Sequence, residues 1–194
     1  RIKIHKGDYR GAARDIRRAK ELYSRVPQKH RYSFIADARI LEMGNQNDFF
    51  IAEAEYLESQ SLFSQAYPLR FQSLSHYHRI RAKVPLQYVR AQLALAVNLK
   101  HQRRMIEAEK EAREALAEAV ILAGRNSGLT AEAVQVLAEI LFYKGKLDDA
   151  HRLSGVQLEI LENLGMNLGE LPQVKAHMLR AERELASGSF SAST

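Results

Sequence analysis

Two stretches of the chain, LAVNLKHQRRMIEAEKEAREAL at residues 95–116 and LAEILFYKGKLDDAHRLSGVQL at residues 137–158, decide the fold. The second repeats the small and apolar positions of the first at a distance of 42 residues, and a weaker copy precedes them both. A fixed period of this order is the sequence signature of a repeat protein. The repeated columns are Ala54, Ala96 and Ala138; Leu57, Leu99 and Leu141; Phe63, Met105 and Leu147; Ala66, Ala108 and Ala150; and Leu74, Leu116 and Leu158.

Each repeat is predicted to form two helices joined by a short turn. Within residues 93–99 and 134–142, the apolar residues recur at the i, i+3, i+4 and i+7 spacing of a helix. Small residues such as Ala96 and Ala108 let two helices approach closely, so we expect them at the crossing inside a hairpin. The predicted turns lie at 103–105 and 145–147 within repeats, and at Pro85, 124–130 and 165–172 between repeats.

The composition agrees with an all-α protein and excludes several other classes. The 194 residues are 46% hydrophobic and 27% charged, with ten Gly, four Pro and no Cys. The lack of Cys excludes a disulfide scaffold, a thiolate metal site and a cysteine nucleophile, and the few Gly and Pro leave little turn chemistry for an all-β fold. No apolar run approaches the ~20 residues of a membrane span, so we expect a cytoplasmic protein without membrane contact.

The repeated string resembles the tetratricopeptide repeat (TPR) family. Gly145 matches the family's turn glycine, and Ala115 matches its late small position. Ser61 and Arg103 replace that glycine in the other two copies, Gln157 replaces the late alanine, and the period is 42 residues where the family usually has about 34. The longer period is similar to the extended TPR variants of kinesin light chains and of large bacterial signalling proteins, including arrays fused to caspase-like protease domains and the MalT-like regulators. The string is Leu95, Ala96, Leu99, Met105, Ala108 and Leu116, and again Leu137, Ala138, Leu141, Leu147, Ala150 and Leu158.

The resemblance implies an all-α, right-handed α-α superhelix, a TPR-like solenoid of about nine helices. We expect a single repeat domain over residues 1–194 that is a fragment of a longer chain, because both ends match half-repeats. Truncated repeats leave apolar faces such as Leu179 and Leu185 uncovered, so self-association is a further expectation. The segments are 1–47, a partial repeat plus an extra helix; 48–89, 90–131 and 132–173, the repeats; and 174–194, a truncated repeat.

Local signals predict where individual helices begin and end. Residues 30–43 and 48–60 have helical patterns, and the polar stretch at 44–47 predicts a break between them. The pairing of residues 29–47 is left open by the sequence. Asp48 and Thr130 are predicted N-caps, and Gly124 and Gly165 are predicted C-caps.

The charge is unevenly distributed, although the net charge is only +6. From Ser59 to Ile106 there is no Asp or Glu, against eight Lys and Arg residues. One interpretation is an electropositive surface that attracts an acidic peptide, a phosphate-bearing ligand or nucleic acid. The other is a solvated surface whose balancing acids come from adjacent repeats or from further domains. The predicted basic patch consists of Arg70, Arg79, Arg81, Lys83, Arg103 and Arg104.

TPR arrays usually bind their partners along the concave face that the first helices form, and the resemblance therefore implies a groove. Its lining would be acidic in the first repeat, basic in the middle one, and acidic and aromatic in the last, which suits a peptide of mixed charge or an intramolecular domain. Phe142 and Tyr143 are candidate anchors, although Phe142 fits a core position equally well. The implied lining is Arg90, Leu93, Val97, Lys100, His101, Glu132, Gln135, Glu139, Phe142 and Tyr143.

The sequence predicts no catalytic, cofactor-binding or metal site. His76 and His78 are two residues apart, which on a helix separates their directions by ~200° and prevents joint chelation of one metal. There is no phosphate-binding lysine loop, no GxSxG and no HExxH motif. Asp148 and Asp149 favour the positive end of a helix dipole, which explains that acidic pair without catalysis.

The predicted function is a protein interaction or regulatory scaffold module. It would bind a protein or peptide segment of acidic or mixed charge, or a fused domain of the full-length chain, along the groove. One alternative is a sensor of a peptide or small ligand that controls a fused effector, which an enclosed pocket of roughly several hundred Å³ would favour. Another is nucleic acid or polyanion binding through residues 70–104, which is the least favoured because no known binding module accompanies the charge.

Overall fold

The structure, a computed structural model, describes residues 35–166, together with Gly11, residues 14–18 and Glu21, which are helical. Side chains are described for those seven residues and from Asn47 to Met166. Between residues 35 and 166 all regular structure is helical, which confirms the all-α class. The truncated repeat predicted at 174–194 lies outside the described residues, and so does most of residues 1–34 in the partial repeat predicted at the other end. The six helices are α1 (Ile35–Ser59), α2 (Phe63–Arg79), α3 (Pro85–His101), α4 (Met105–Ala123), α5 (Gly128–Tyr143) and α6 (Leu147–Asn163).

The chain divides between Lys83 and Val84 into two compact units. In the first unit, α1 packs against α2. In the second, α3 packs against α4 and α5 against α6, while α4 and, to a smaller extent, α3 contact α5. Each of the three helix pairs is therefore a hairpin, and the two hairpins of the second unit pack on each other. None of the helices described has both the length and the apolar character needed to cross a bilayer.

The turn inside each hairpin is the same Schellman motif, in which the residue after the helix cap has a left-handed backbone. These residues are Ser61, Arg103 and Gly145, with φ of 60°, 63° and 76°. The next residue donates its N–H to the carbonyl five positions back: Leu62 to Leu57 (2.9 Å), Arg104 to Leu99 (3.0 Å) and Lys146 to Leu141 (3.0 Å). The second helix then begins at the following residue, so the 42-residue period is a period of backbone geometry as well as of sequence.

The alanines of the repeated columns are buried, as the sequence predicts. Ala54, Ala66, Ala96, Ala108 and Ala150 are 0% exposed, and Ala138 is 1% exposed. The leucines Leu99 and Leu141 beside them are 2% and 1% exposed. Small side chains at these positions allow the close helix contacts of a hairpin, and the leucines fill the remaining volume.

Two predicted boundaries are wrong. The break at 44–47 is absent, because α1 runs without interruption from Ile35 to Ser59 and Asp48 lies inside it and does not cap it. A glycine or asparagine inside a helix costs only about 1 kcal/mol or less, which the packing of α1 against α2 outweighs. Ser127 caps α5 where Thr130 was predicted, since its Oγ accepts the N–H of Thr130 at 3.1 Å.

The C-cap prediction holds at Gly124, whereas the C-cap of α6 is Leu164 and Gly165 lies one residue beyond it. Gly124 forms the C-cap of α4 with φ of 81°. Gly165, with φ of 75°, follows the last turn of α6, and Met166 donates its N–H to Leu161 at 3.0 Å. A side chain is strained in this conformation, so glycine ends these helices at the lowest cost.

We expect two Gly→Ala substitutions only ten residues apart to change stability in opposite directions. Gly145→Ala puts a Cβ on a left-handed residue and should lower the free energy of unfolding by about 1 kcal/mol. Gly155→Ala lies inside α6, where a Cβ meets no atom within 4 Å, and should raise it by about 0.5–1 kcal/mol. Urea unfolding followed by circular dichroism measures both; two shifts of the same sign would contradict the assigned turn.

Candidate interaction surface

The side chains predicted to line a groove on α3 and α5 divide into a buried and an accessible set. Leu93 and Phe142 are 2% and 4% exposed and belong to the core, which for Phe142 favours the core interpretation over the anchor. Tyr143 is 44% exposed and packs edge-on against Phe142, with 5.8 Å between ring centroids. Arg90, His101 and Glu132 are exposed, Val97, Gln135 and Glu139 are half-buried, and Lys100 is buried.

A polar network joins three of these predicted residues across neighbouring hairpins. The Nζ of Lys100 on α3 lies 2.5 Å from Oε2 of Glu139 on α5. Gln135 donates to the other oxygen of Glu139 at 3.1 Å, and Gln157 on α6 donates to Oε1 of Gln135 at 3.3 Å. The predicted basic and acidic linings therefore neutralise each other where they meet. Gln157 was not predicted to belong to this surface, although a polar residue in a column of small ones is a usable signal.

A pocket of about 180 Å³ opens at the α3–α4 turn, beside the end of α5. The Nζ of Lys100 lies 5.9 Å from the centroid of the Tyr143 ring, and the guanidinium carbon of Arg103 lies 6.0 Å from it. Both distances fall within the range in which a cation is attracted to an aromatic face. The pocket combines a cationic rim with an aromatic wall; its lining is Lys100, His101, Arg103, Met105 and Tyr143.

A second ionic cluster, which the sequence analysis missed, connects α4 to the α5–α6 turn. Glu109 of α4 accepts from Lys144 at 2.5 Å and from Nη2 of Arg113 at 2.8 Å, and Lys146 lies 3.6 Å away. The Glu109 side chain is only 11% exposed. Only the pair of Glu109 with Arg113, four residues apart on α4, follows a local pattern; Lys144 is 35 residues from Glu109 in sequence.

The cluster strongly favours the ionised form of Glu109. Burial by itself would raise the pKa of this carboxyl, but the hydrogen bonds from Lys144 and Arg113 and the charges of Lys144 and Lys146 outweigh it. The pKa falls from the ordinary 4.5 to about 2. Glu109 therefore acts as an ionic tie between the two hairpins of the second unit.

Carboxylates from outside the acid-free stretch pair with part of the predicted basic patch. Arg70 is buried and binds Glu58 through two bonds of 3.0 and 2.6 Å. Arg104 binds Glu107 through bonds of 2.8 and 2.6 Å. Arg79, Arg81 and Lys83 are exposed and belong to the first unit, whereas Arg103 and Arg104 belong to the second. For Arg70 and Arg104, the pairs favour the interpretation in which adjacent segments supply the balancing acids.

The two histidines of α2 differ in exposure. His76 is half-buried on α2 and His78 is exposed. Burial, with the charge of Arg79, lowers the pKa of His76, and the charge of Asp48 opposes this shift. Within the described part of the chain, no group of three His, Cys, Asp or Glu side chains is arranged to hold a metal ion.

These features define an all-α protein built of packed helical hairpins, with a polar and aromatic surface on the first helices of the second unit. The chain is similar in structure to BtubC (BKLC) from P. vanneervenii, whose crystal structure it matches with a TM-score of 0.65. The two chains are 18% identical, and the match covers 96% of this chain and 85% of BtubC. At this identity the similarity concerns the fold. No protein-family model and no curated protein sequence matches the chain.

Replacing Glu109 by Gln should lower the free energy of unfolding by about 2 kcal/mol at neutral pH, because three cations then lose their shared carboxylate. A carboxyl whose pKa is lowered by folding stabilises the folded state at any pH above its unfolded-state pKa of about 4.3–4.5. This stabilisation is lost as the pH falls towards the folded-state pKa of about 2. The difference between wild type and variant should therefore shrink between about pH 4.5 and pH 2.

Urea unfolding across that pH range measures the effect. Glu107→Gln is the matched control, because Glu107 lies on the same helix with a single Arg partner and a 54% exposed side chain. We expect its unfolding transition to stay close to that of the wild type. A pH-independent effect of Glu109→Gln would show that the ionic tie does not stabilise the fold.

Proposed function

We propose that this chain is a TPR-like, right-handed solenoid that acts as a protein interaction or regulatory scaffold module. It would bind a segment of a partner protein, or of a fused domain, along the first helices of its hairpins. The observation that carries the proposal is the accessible aromatic ring of Tyr143 beside the Lys100–Glu139–Gln135 network. An exposed aromatic residue next to fixed polar groups is the usual composition of a protein-binding hot spot.

The network supports this proposal because it fixes the polar side chains before any partner arrives. Lys100 and Glu139 hold each other at 2.5 Å, and Gln135 is held by both Glu139 and Gln157. Side chains that are already ordered lose little conformational entropy on binding, which raises affinity for a given contact area. A partner would therefore meet a preorganised polar surface.

The pocket and the ion pairs weigh against the two alternative functions. At about 180 Å³, the pocket is smaller than the roughly 300–1,000 Å³ of typical small-molecule sites, so it suits one side chain better than a whole effector. Nucleic acid binding requires several cations that are available for phosphates. Three of the eight bases in residues 70–104, namely Arg70, Lys100 and Arg104, instead hold carboxylates of this chain.

The test is partner capture from the native lysate with the 194-residue chain as bait, using variants of the first-helix face. Lys100 is unsuitable for charge reversal because a glutamate there would face Glu139. Arg90→Glu on α3 and Tyr143→Ala on α5 change accessible residues of this face, and each should reduce capture of a specific protein at least tenfold. Binding is measured at low and at high salt.

Lys110→Glu provides the matched control, since Lys110 is a 70% exposed base on the second helix α4. We expect this variant to capture the same protein as the wild type. Equal loss in Lys110→Glu and Arg90→Glu would contradict recognition by the first-helix face. Recovery of nucleic acid alone, lost as salt rises, would support the polyanion alternative instead.

A further inference from the structure

We propose that the pocket at the α3–α4 turn is a subsite for a single carboxylate, carried by an acidic side chain of the bound protein segment. This inference rests on the proposed function, because it takes the carboxylate to belong to a protein. It goes beyond that function by naming the chemical group that binds and the residue that binds it. The group that binds the carboxylate is the guanidinium of Arg103.

The position of Arg103 is set by the backbone. Arg103 is the left-handed residue of the Schellman turn, with φ of 63°, and its N–H bonds to the carbonyl of Lys100 at 3.0 Å. Glycine occupies the equivalent position at Gly145 and carries no strain there. Ser61 shares this conformation in the first hairpin, so the strain belongs to the turn, which fixes the backbone from which the Arg103 side chain extends.

Arg103 also differs from its neighbours in charge pairing. Six basic side chains line the pocket, lie next to it at the α3–α4 turn, or bind Glu109. Together they contact three carboxylates. Five of the six make an ion pair with Glu107, Glu109 or Glu139. The guanidinium of Arg103 makes no ion pair with a described residue, and it lies 6.0 Å from the centroid of the Tyr143 ring. The six are Lys100, Arg103, Arg104, Arg113, Lys144 and Lys146.

The excess of basic over acidic side chains around the pocket favours binding of an anion. Because only one cationic side chain of the pocket is available, the preferred anion is a carboxylate. A guanidinium binds a carboxylate through two parallel hydrogen bonds, and this pairing needs no second cation. A phosphate group carries almost two negative charges and is usually bound by a cluster of bases. Here the other cation of the lining, Lys100, already holds Glu139. One available guanidinium therefore matches one carboxylate.

The walls of the pocket fit the remainder of an acidic side chain. Its volume of about 180 Å³ is close to the roughly 150 Å³ that accommodates a benzene ring in an engineered cavity, so it holds one side chain. Met105 and the Tyr143 ring offer apolar contact to the methylene groups. The Tyr143 hydroxyl makes no hydrogen bond to the described residues and can donate to the bound carboxylate.

The experiment titrates the 194-residue chain with N-acetyl-glutamate α-amide, a probe that carries one side-chain carboxylate, and follows backbone and arginine Nε–H signals by NMR. We expect saturable shifts of Arg103, Met105 and Tyr143 at millimolar probe. The matched N-acetyl-glutamine α-amide should bind at least about tenfold more weakly, because it lacks the charge. Inorganic phosphate is titrated separately as a competing anion.

Two variants identify the group that binds the probe. Arg103→Gln keeps a long side chain at the left-handed position and should weaken binding of the carboxylate probe at least about tenfold. Lys110→Gln removes a 70% exposed base on α4 that does not line the pocket, and should leave the affinity for the probe unchanged. An unchanged spectrum of the free Arg103→Gln chain outside the turn establishes that the variant is folded.

The proposal is overturned if the glutamine analogue binds as well as the glutamate probe, if Arg103→Gln binds normally, or if phosphate binds the same residues more tightly. Such a result, together with capture of a protein that still depends on Arg90, would leave the proposed function standing. If Arg103→Gln loses binding of the probe but the first-helix face captures no protein, the carboxylate site is supported and the proposed function is contradicted.

Discussion

One backbone conformation recurs at the same place in three helical hairpins, and the rest of the structure depends on it. The residue that follows the C-cap of the first helix is left-handed at Ser61, Arg103 and Gly145. It closes a Schellman turn that ends one helix, and the next helix starts after three residues and packs back against the first. This return fixes the register in which the alanine columns meet, which explains why all six of these alanines are buried.

The same turn also positions the polar chemistry of the second unit. Because α3 and α5 end at equivalent residues, Arg103 at one turn lies within 6.0 Å of the Tyr143 ring at the end of the next first helix. The residues after Tyr143 reach back to α4, where Lys144 binds Glu109 at 2.5 Å. Contacts between hairpins are therefore concentrated at the turn ends, and both the ionic tie and the pocket arise there from a repeat whose period is constant.

The features that depend on local residue patterns could be predicted from the sequence alone. The helical period, the turns at 103–105 and 145–147, and the buried alanines follow from residue spacing that any register of the hairpin must satisfy. The break predicted at 44–47 was wrong because propensity weighs only the helix itself, whereas packing on α2 stabilises α1 across Gly44. The pairing of Lys100 with Glu139 was not predictable, since partners 39 residues apart are brought together by the stacking of hairpins alone.

The electrostatic effect of the acid-free stretch from Ser59 to Ile106 depends on which carboxylates pair with its bases. Glu58 and Glu107 flank this stretch and bind Arg70 and Arg104 inside it, and Glu139 of the next repeat binds Lys100. Three of the eight bases of this stretch thus form local ion pairs in space, each with little net field at a distance. Arg103 has no carboxylate partner of this kind and lies beside an aromatic ring in the pocket. A base in this position marks the place where the chain can bind a carboxylate of another molecule.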